Sequence, residues 1–322
     1  MDNDRLTGLF CTFHAQDRLL RLTKEFHAID WVIAATPEEL AARIPSANIL
    51  ILNNRICTAE LGAAIRNAAR PKLGWIHFVT AGIEMGLAMG LPKRVLISSA
   101  AGTNGPVLAE HAVTLLLASM RRFGDIHRGQ SAHEWRRFKI FEQIRSLEGA
   151  RVCILGLGAV GREVARKLRA FDAEVIAISR GGADSNVSQV YSRAQMATAL
   201  GQSDALVICT NSDASTHHLI GTEELAALKP GGFVVNMARG EIIDEPALIE
   251  ALRSGHVAGA VTPDYSKNLP SMTLGFASSG SIAPRPLMGS PSGVSRSETW
   301  ASVPWPPKRR TTRGSGPGLM NS

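Results

Sequence analysis

RVCILGLGAVGREVARKLRAFDAEVIAISR, residues 151–180, sets the architecture. It opens on an almost wholly apolar run (151–158), passes through a helix-like stretch (161–171) and returns to a second apolar run (173–180). A strand with no polar side is covered on both faces, as in a parallel sheet. The helix between supplies the crossover that parallel pairing needs. The pattern extends in both directions. Strands are expected at 47–54 (ANILILNN), 74–82 (GWIHFVTAG, ending in a tight turn), 94–100 (RVLISSA), 204–211 (DALVICTN) and 231–239 (GGFVVNMAR). Helical patterns lie at 37–44, 58–70 and 245–255, the last closed by Gly255 in a C-cap position. A longer helix at 105–123 has a broad apolar face, suited to core packing or to a subunit interface. The expected class is α/β, with helices on both faces of parallel sheets, one domain in 1–99 and a second in 100–260.

Composition bounds the rest. Of 322 residues, 45% are hydrophobic and 20% charged, enough for a sizeable core. No apolar run approaches the roughly 18 residues of a membrane span, and MDNDRLTGLF lacks a signal-peptide pattern. The four cysteines (Cys11, Cys57, Cys153, Cys209) are scattered without a CxxC pair. That disfavours a disulfide frame or a metal site and fits a reducing cytoplasm. The net charge of +7 resides mostly in the last 62 residues, which hold 7 Lys/Arg against Asp264 and Glu298. The same segment, 261–322, carries 9 of the 16 prolines and reads as an irregular or disordered tail. Its basic run KRRTTRG (308–314) could attract phosphates, but a solvated tail is the preferred reading over nucleic-acid binding.

Gly156, Gly158 and Gly161 form GxGxxG between a strand and a helix, the context in which that spacing carries meaning. Gly156 permits the tight turn, Gly158 lets a pyrophosphate approach the backbone, and Gly161 lets helix and strand pack closely. Exposed N–H groups at the helix start then hold an anion. An acid at the end of the next strand would bind the ribose 2′-OH of NAD. The text there is AISRGGADS, and the nearest acid is Asp184. Ser179 and Arg180 suit a phosphate instead, so NADP is expected over NAD.

VTAGIE (79–84), LGLGAVG (155–161) and MARGEIIDEPALIEALRSGHVAGA (237–260) resemble the D-isomer-specific 2-hydroxyacid dehydrogenases, and with weaker flanking matches the resemblance covers about 260 residues. It implies two doubly wound, Rossmann-like domains with the active site in the cleft between them, and often a homodimer through a helix like 105–123. It implies that Gly82 and Ile83 offer N–H groups to a substrate carboxylate. Arg239 would be the catalytic residue that binds that carboxylate and polarises the C2 oxygen. Ala159 and Val160 would lie under the pyrophosphate, with Thr210 and Ala238 on the nicotinamide side. The implied substrate is a small 2-oxo or 2-hydroxy acid such as glyoxylate or hydroxypyruvate.

The family's proton donor, a His held by a Glu, should follow the Ala-Arg-Gly turn. Here the last histidine is His256, the expected Glu position falls near Asn268, and Asp264 is displaced from the family's Asp. His77 reads as a strand residue, His111 as a packing residue of the long helix, and His217 and His218 as solvated. The alternative to an enzyme is therefore an inactive, dinucleotide-binding relative acting as a scaffold. A reading-frame change after about Val261 accounts for both the lost motif and the altered tail. The other two frames of the gene past codon 261 are expected to restore an Asp…Glu-Pro…His text, and its absence from both would remove this explanation.

Overall fold

The computed structural model describes residues 5–11, 18, 21, 23–67 and 72–262, and the backbone of 273–275. The first sheet is built from β1 (Leu6–Cys11), β2 (Ile29–Ile33), β3 (Ile49–Leu52), β4 (Trp75–Phe78) and β5 (Leu96–Ser99). Its order is β2-β1-β3-β4-β5, with every neighbour parallel. The crossovers carry α1 (Pro37–Arg43), α2 (Ala59–Asn67) and α3 (Glu84–Ala88). Helix α1 starts where its residues dictate. Thr36 accepts from the Glu39 amide, Pro37 takes the first turn, and Arg43 sits in the last. The core of this half joins Leu9, Leu50, Leu52, Ile76 and Phe78 of the strands to Leu40, Leu61 and Ile65 of the helices.

Three helices lead to the second sheet: α4 (Gly105–Met120), α5 (Phe123–Ser131) and α6 (Arg137–Phe141). The long helix expected to reach residue 123 ends at Met120. Arg122 takes a left-handed conformation (φ 56°) and caps the next helix. Its guanidinium holds the turn, donating to the Ala258 carbonyl at 3.0 Å and pairing with Asp125 at 2.7 Å. His111, read as a packing residue, is instead exposed on α4; the apolar side of that helix is carried by Ala109, Ala112, Val113 and Leu116.

The second sheet contains β6 (Arg151–Leu155), β7 (Glu174–Ile178), β8 (Gln189–Tyr191), β9 (Ala205–Ile208), β10 (Gly232–Asn236), β11 (Val257–Thr262) and β12 (Thr273–Gly275), with α7 (Ala159–Arg169), α8 (Met196–Leu200), α9 (Thr222–Ala227) and α10 (Glu245–Arg253) in the connections. The order is β12-β11-β10-β9-β6-β7-β8, again parallel throughout. Successive strand residues alternate between two cores. Val152, Ile154, Val175, Ala177, Ala205 and Val207 face α4 and α7. Cys153, Leu155, Ile176, Ile178, Leu206 and Ile208 face α8, α9 and α10. This is the two-sided burial that the unbroken apolar runs require. Ser254 caps α10, and Gly255, expected at the cap, follows it at φ 75°, the left-handed position of a helix-ending glycine.

The reading of 261–322 as irregular is corrected at its start. Strand β11 continues to Thr262, and Thr273–Gly275 pairs beside it. The reason is physical: the open edge of β11 offers unpaired backbone groups to any extended segment, whatever its composition. Asp264, Asn268, Glu298 and the 308–314 run lie outside the described residues.

The four cysteines are free, and burial raises each thiol pKa, to about 11 for Cys57 and about 12 for Cys153. No helix among the described residues is long and apolar enough to cross a membrane. No described cluster of three or more His, Cys, Asp or Glu could hold a metal ion.

Candidate active site

Both sheets belong to one compact unit of the chain. In the second sheet the order reverses between β6 and β9, the switch point at which open α/β sheets form a crevice beyond their carboxyl ends. The β6–α7 turn lies there. Gly156 has φ 101°, and a Cβ on it would stand 2.9 Å from the backbone of Thr210. A Cβ on Gly161 would overlap the Gly156 carbonyl. Gly158 faces open space. The three glycines thus have separate reasons: a backbone angle, a helix-to-turn contact, and an unfilled cradle at the helix start. The N–H groups of Gly158, Ala159 and Val160 donate to no acceptor among the described residues, as expected for the first turn of α7. Open space and oriented N–H groups fit the pyrophosphate of a dinucleotide.

At the end of β7, Ser179 is half-buried and Arg180 exposed. The Ser179 hydroxyl oxygen accepts from the Gly181 amide at 3.0 Å, leaving its proton available. Asp184 is engaged elsewhere. It accepts from the Asn186 amide at 2.9 Å and from Arg162 at 2.8 Å, and these contacts hold its carboxyl below the usual range. Asp213, in the loop after β9, is likewise held low, chiefly by the Ser215 hydroxyl and amide and also by the charge of Arg180.

Thr210 follows β9, and Ala238 and Arg239 follow β10, so all three stand at the carboxyl edge of the sheet. Fully buried Asn236 shapes the second turn. It accepts from the Ala238 amide at 2.9 Å and donates to the Arg239 carbonyl at 2.7 Å. Sequence reading passed over this residue; an amide closing an apolar strand, GGFVVN, was the available signal. The loop after β9 is tied to the same turn, since Ser212 donates to the Glu241 carboxylate and the His218 amide to the Glu241 carbonyl.

The Arg239 guanidinium reaches the first sheet's side of the site. It donates through Nη1 to the Ala238 carbonyl at 3.0 Å and through Nη2 to Glu84 Oε1 at 3.3 Å. Gly82 lies against the pair, where a Cβ would overlap Nη2. Gly82 and Ile83 are half-buried beside it, and their amides meet no acceptor among the described residues. The structure therefore brings Gly82, Ile83 and Arg239 together. Glu84 was within reach of sequence reading, being part of VTAGIE, but its partner lies 155 positions away.

The histidines are placed elsewhere. His256 bonds the Leu228 carbonyl at 2.9 Å, at the amino-terminal edge of β10 and β11, opposite Arg239. His77 pairs with the Ser98 hydroxyl at 2.9 Å within the first sheet, and burial lowers its pKa. His217 and His218 are exposed and stacked, with ring centroids 4.0 Å apart.

Fold and turn define a two-sheet α/β protein with a glycine-lined turn at the second sheet's switch point. Residues 113–277 match the family described as D-isomer specific 2-hydroxyacid dehydrogenase, NAD binding domain, and the chain belongs to that family. It is 32% identical over 234 residues to D-3-phosphoglycerate dehydrogenase of Mycobacterium leprae (strain TN), covering 72% of this chain and 43% of the relative. The chain thus spans less than half the length of that protein. It is 30% identical to hydroxyphenylpyruvate reductase of Plectranthus scutellarioides, covering 71% of this chain and 72% of that one. A crystal structure of a D-isomer specific 2-hydroxyacid dehydrogenase family protein from Aeromonas salmonicida subsp. salmonicida A449 superposes with a TM-score of 0.70 at 26% identity, covering 89% of this chain and 87% of that one.

Replacing buried Asn236 by Ala removes the partner of the half-buried Ala238 amide and Arg239 carbonyl. Urea unfolding is expected to show a loss of about 1–3 kcal/mol. Unchanged stability would mean that the turn holds itself.

Proposed function

We propose that this chain is built for reduction of a small 2-oxo acid, of the glyoxylate or hydroxypyruvate kind, with NADP preferred over NAD. The observation that carries the reading is the approach of Arg239 to Gly82, beside Ile83, at the sheet edge that also bears the GxGxxG turn. A bound nicotinamide coenzyme would supply the hydride. Gly156, Gly158 and Gly161, with the Ala159 and Val160 amides, would hold its diphosphate. Thr210 and Ala238 would border the ring. The Gly82 and Ile83 amides would fix the substrate carboxylate. The Arg239 guanidinium would bind that carboxylate and polarise the C2 oxygen, because one planar cation can serve two adjacent oxygens.

The NADP preference rests on Arg180 and Ser179 at the strand end, and on the engagement of Asp184 with Arg162 and Asn186. Residues 1–99 are proposed as the substrate domain and 100–260 as the dinucleotide domain. A homodimer is proposed through the 105–123 region. Its support is apolar surface there and just beyond, with Val107 66% exposed, Phe123 59% and Trp135 84%. Sedimentation as a monomer at micromolar concentration would remove it. The free thiols support a reducing, cytoplasmic compartment.

A second reading, an inactive dinucleotide-binding relative, is favoured by the position of His256 at the far edge of the sheet and by the commitment of Arg239 to Glu84. Glyoxylate-dependent oxidation of NADPH, measured beside NADPH binding, separates the two: binding without oxidation selects the second. In either case Arg180→Ala is expected to weaken NADPH binding about tenfold or more, the worth of a charge-assisted contact, with little change for NADH. Equal losses for both coenzymes would refute the assignment.

A further inference from the structure

The Arg239–Glu84 pair places a carboxylate of the protein on the guanidinium assigned to the substrate. Glu84 opens α3, directly after Gly82 and Ile83, and a Cβ on Gly82 would also meet the Glu84 carboxylate, at 2.8 Å from Oε2. A ligand carboxylate that pairs with Arg239 beside Gly82 therefore meets Glu84 on the same guanidinium. The guanidinium already spends two of its five N–H donors within the protein, one from Nη1 on the Ala238 carbonyl and one from Nη2 on Glu84, and the Glu84 charge offsets its own. Both side chains of the pair are partly exposed, 40% for Arg239 and 48% for Glu84. Water and salt screen such a pair, so exchange for another anion is not costly.

We propose that Glu84 is a specificity-determining residue that competes, as an internal carboxylate, with the substrate carboxylate for Arg239. The inference rests on the assignment of Arg239 as the carboxylate-binding residue. Its consequence is a preference of substrate class. A monoanionic 2-oxo acid needs one exchange at Arg239. A ligand with a second anionic group nearby brings that charge against the released Glu84 as well, and like charges at short range repel. The site is thereby selective for small monocarboxylates over dicarboxylates and phosphorylated acids.

The test is calorimetric binding of glycolate and of oxalate, a monoanion and a dianion, to the full chain and to its variants. Glu84→Gln keeps the shape of the side chain and removes its charge. It is expected to bind oxalate about two- to fivefold tighter, the range that release of an exposed ion pair allows, with a smaller gain for glycolate. Glu84→Ala is expected to show the same order of gains. In an Arg239→Gln background the gain from Glu84→Gln shrinks, because no guanidinium is left to compete for. A gain of equal size in that background marks general charge repulsion and overturns the competition. So does oxalate binding no tighter in either Glu84 variant than in the unaltered chain, or none in any protein. If Arg239→Gln alone binds both probes as the unaltered chain does, the carboxylate assignment itself falls, which is a different result from failure of the Glu84 competition.

Discussion

Bare backbone packed against bare backbone is the constraint on which the rest of this molecule turns. The Gly161 Cα sits against the Gly156 carbonyl, and Gly156 sits against the Thr210 backbone, with no room for a side chain at either contact. Those approaches draw the start of α7 into the mouth of the sheet and bring the loop after β9 up to it. Between these two closed contacts Gly158 faces open space. A methyl group at Gly161 would force the helix off the turn, and the N–H groups of its first turn would leave with it.

Around this point the two sheets contribute different things. The second supplies a rigid frame, with both faces sealed by alternating side chains and the Arg239 turn clamped by buried Asn236. The first supplies a short turn whose amides are unengaged among the described residues and whose next residue is an acid. A guanidinium is the common ground between them. It carries five N–H donors in a plane, and can hold its own main chain, an internal acid and an incoming ligand in turn.

The central strands of the second sheet were legible because they are covered on both faces, which leaves long apolar runs. The GxGxxG turn was legible because its spacing fell between a strand and a helix. Arg239 was found through resemblance, and its neighbourhood with Gly82 and Ile83 followed. Other features left weaker traces. Strands β1 and β2 mix polar with apolar residues, and β8 is three residues long. The end of α4 could not be read because Arg carries no signal for a left-handed backbone; the turn is held by a bond to Ala258, 136 positions on. Asn236 is a lone polar residue whose worth depends on which groups it meets. The Glu84 partnership exists only once two sheets are folded, since local patterning says nothing of residues 155 apart.

That bond from Arg122 to Ala258 has a wider meaning. It fastens the beginning of the aromatic-rich α5–α6 arm to strand β11, far from it in the chain, through a side chain only 12% exposed. Displacement of the arm at this point strains a hydrogen bond to the second sheet. Arm and strand share that one anchor, with Asp125 holding its other end in place.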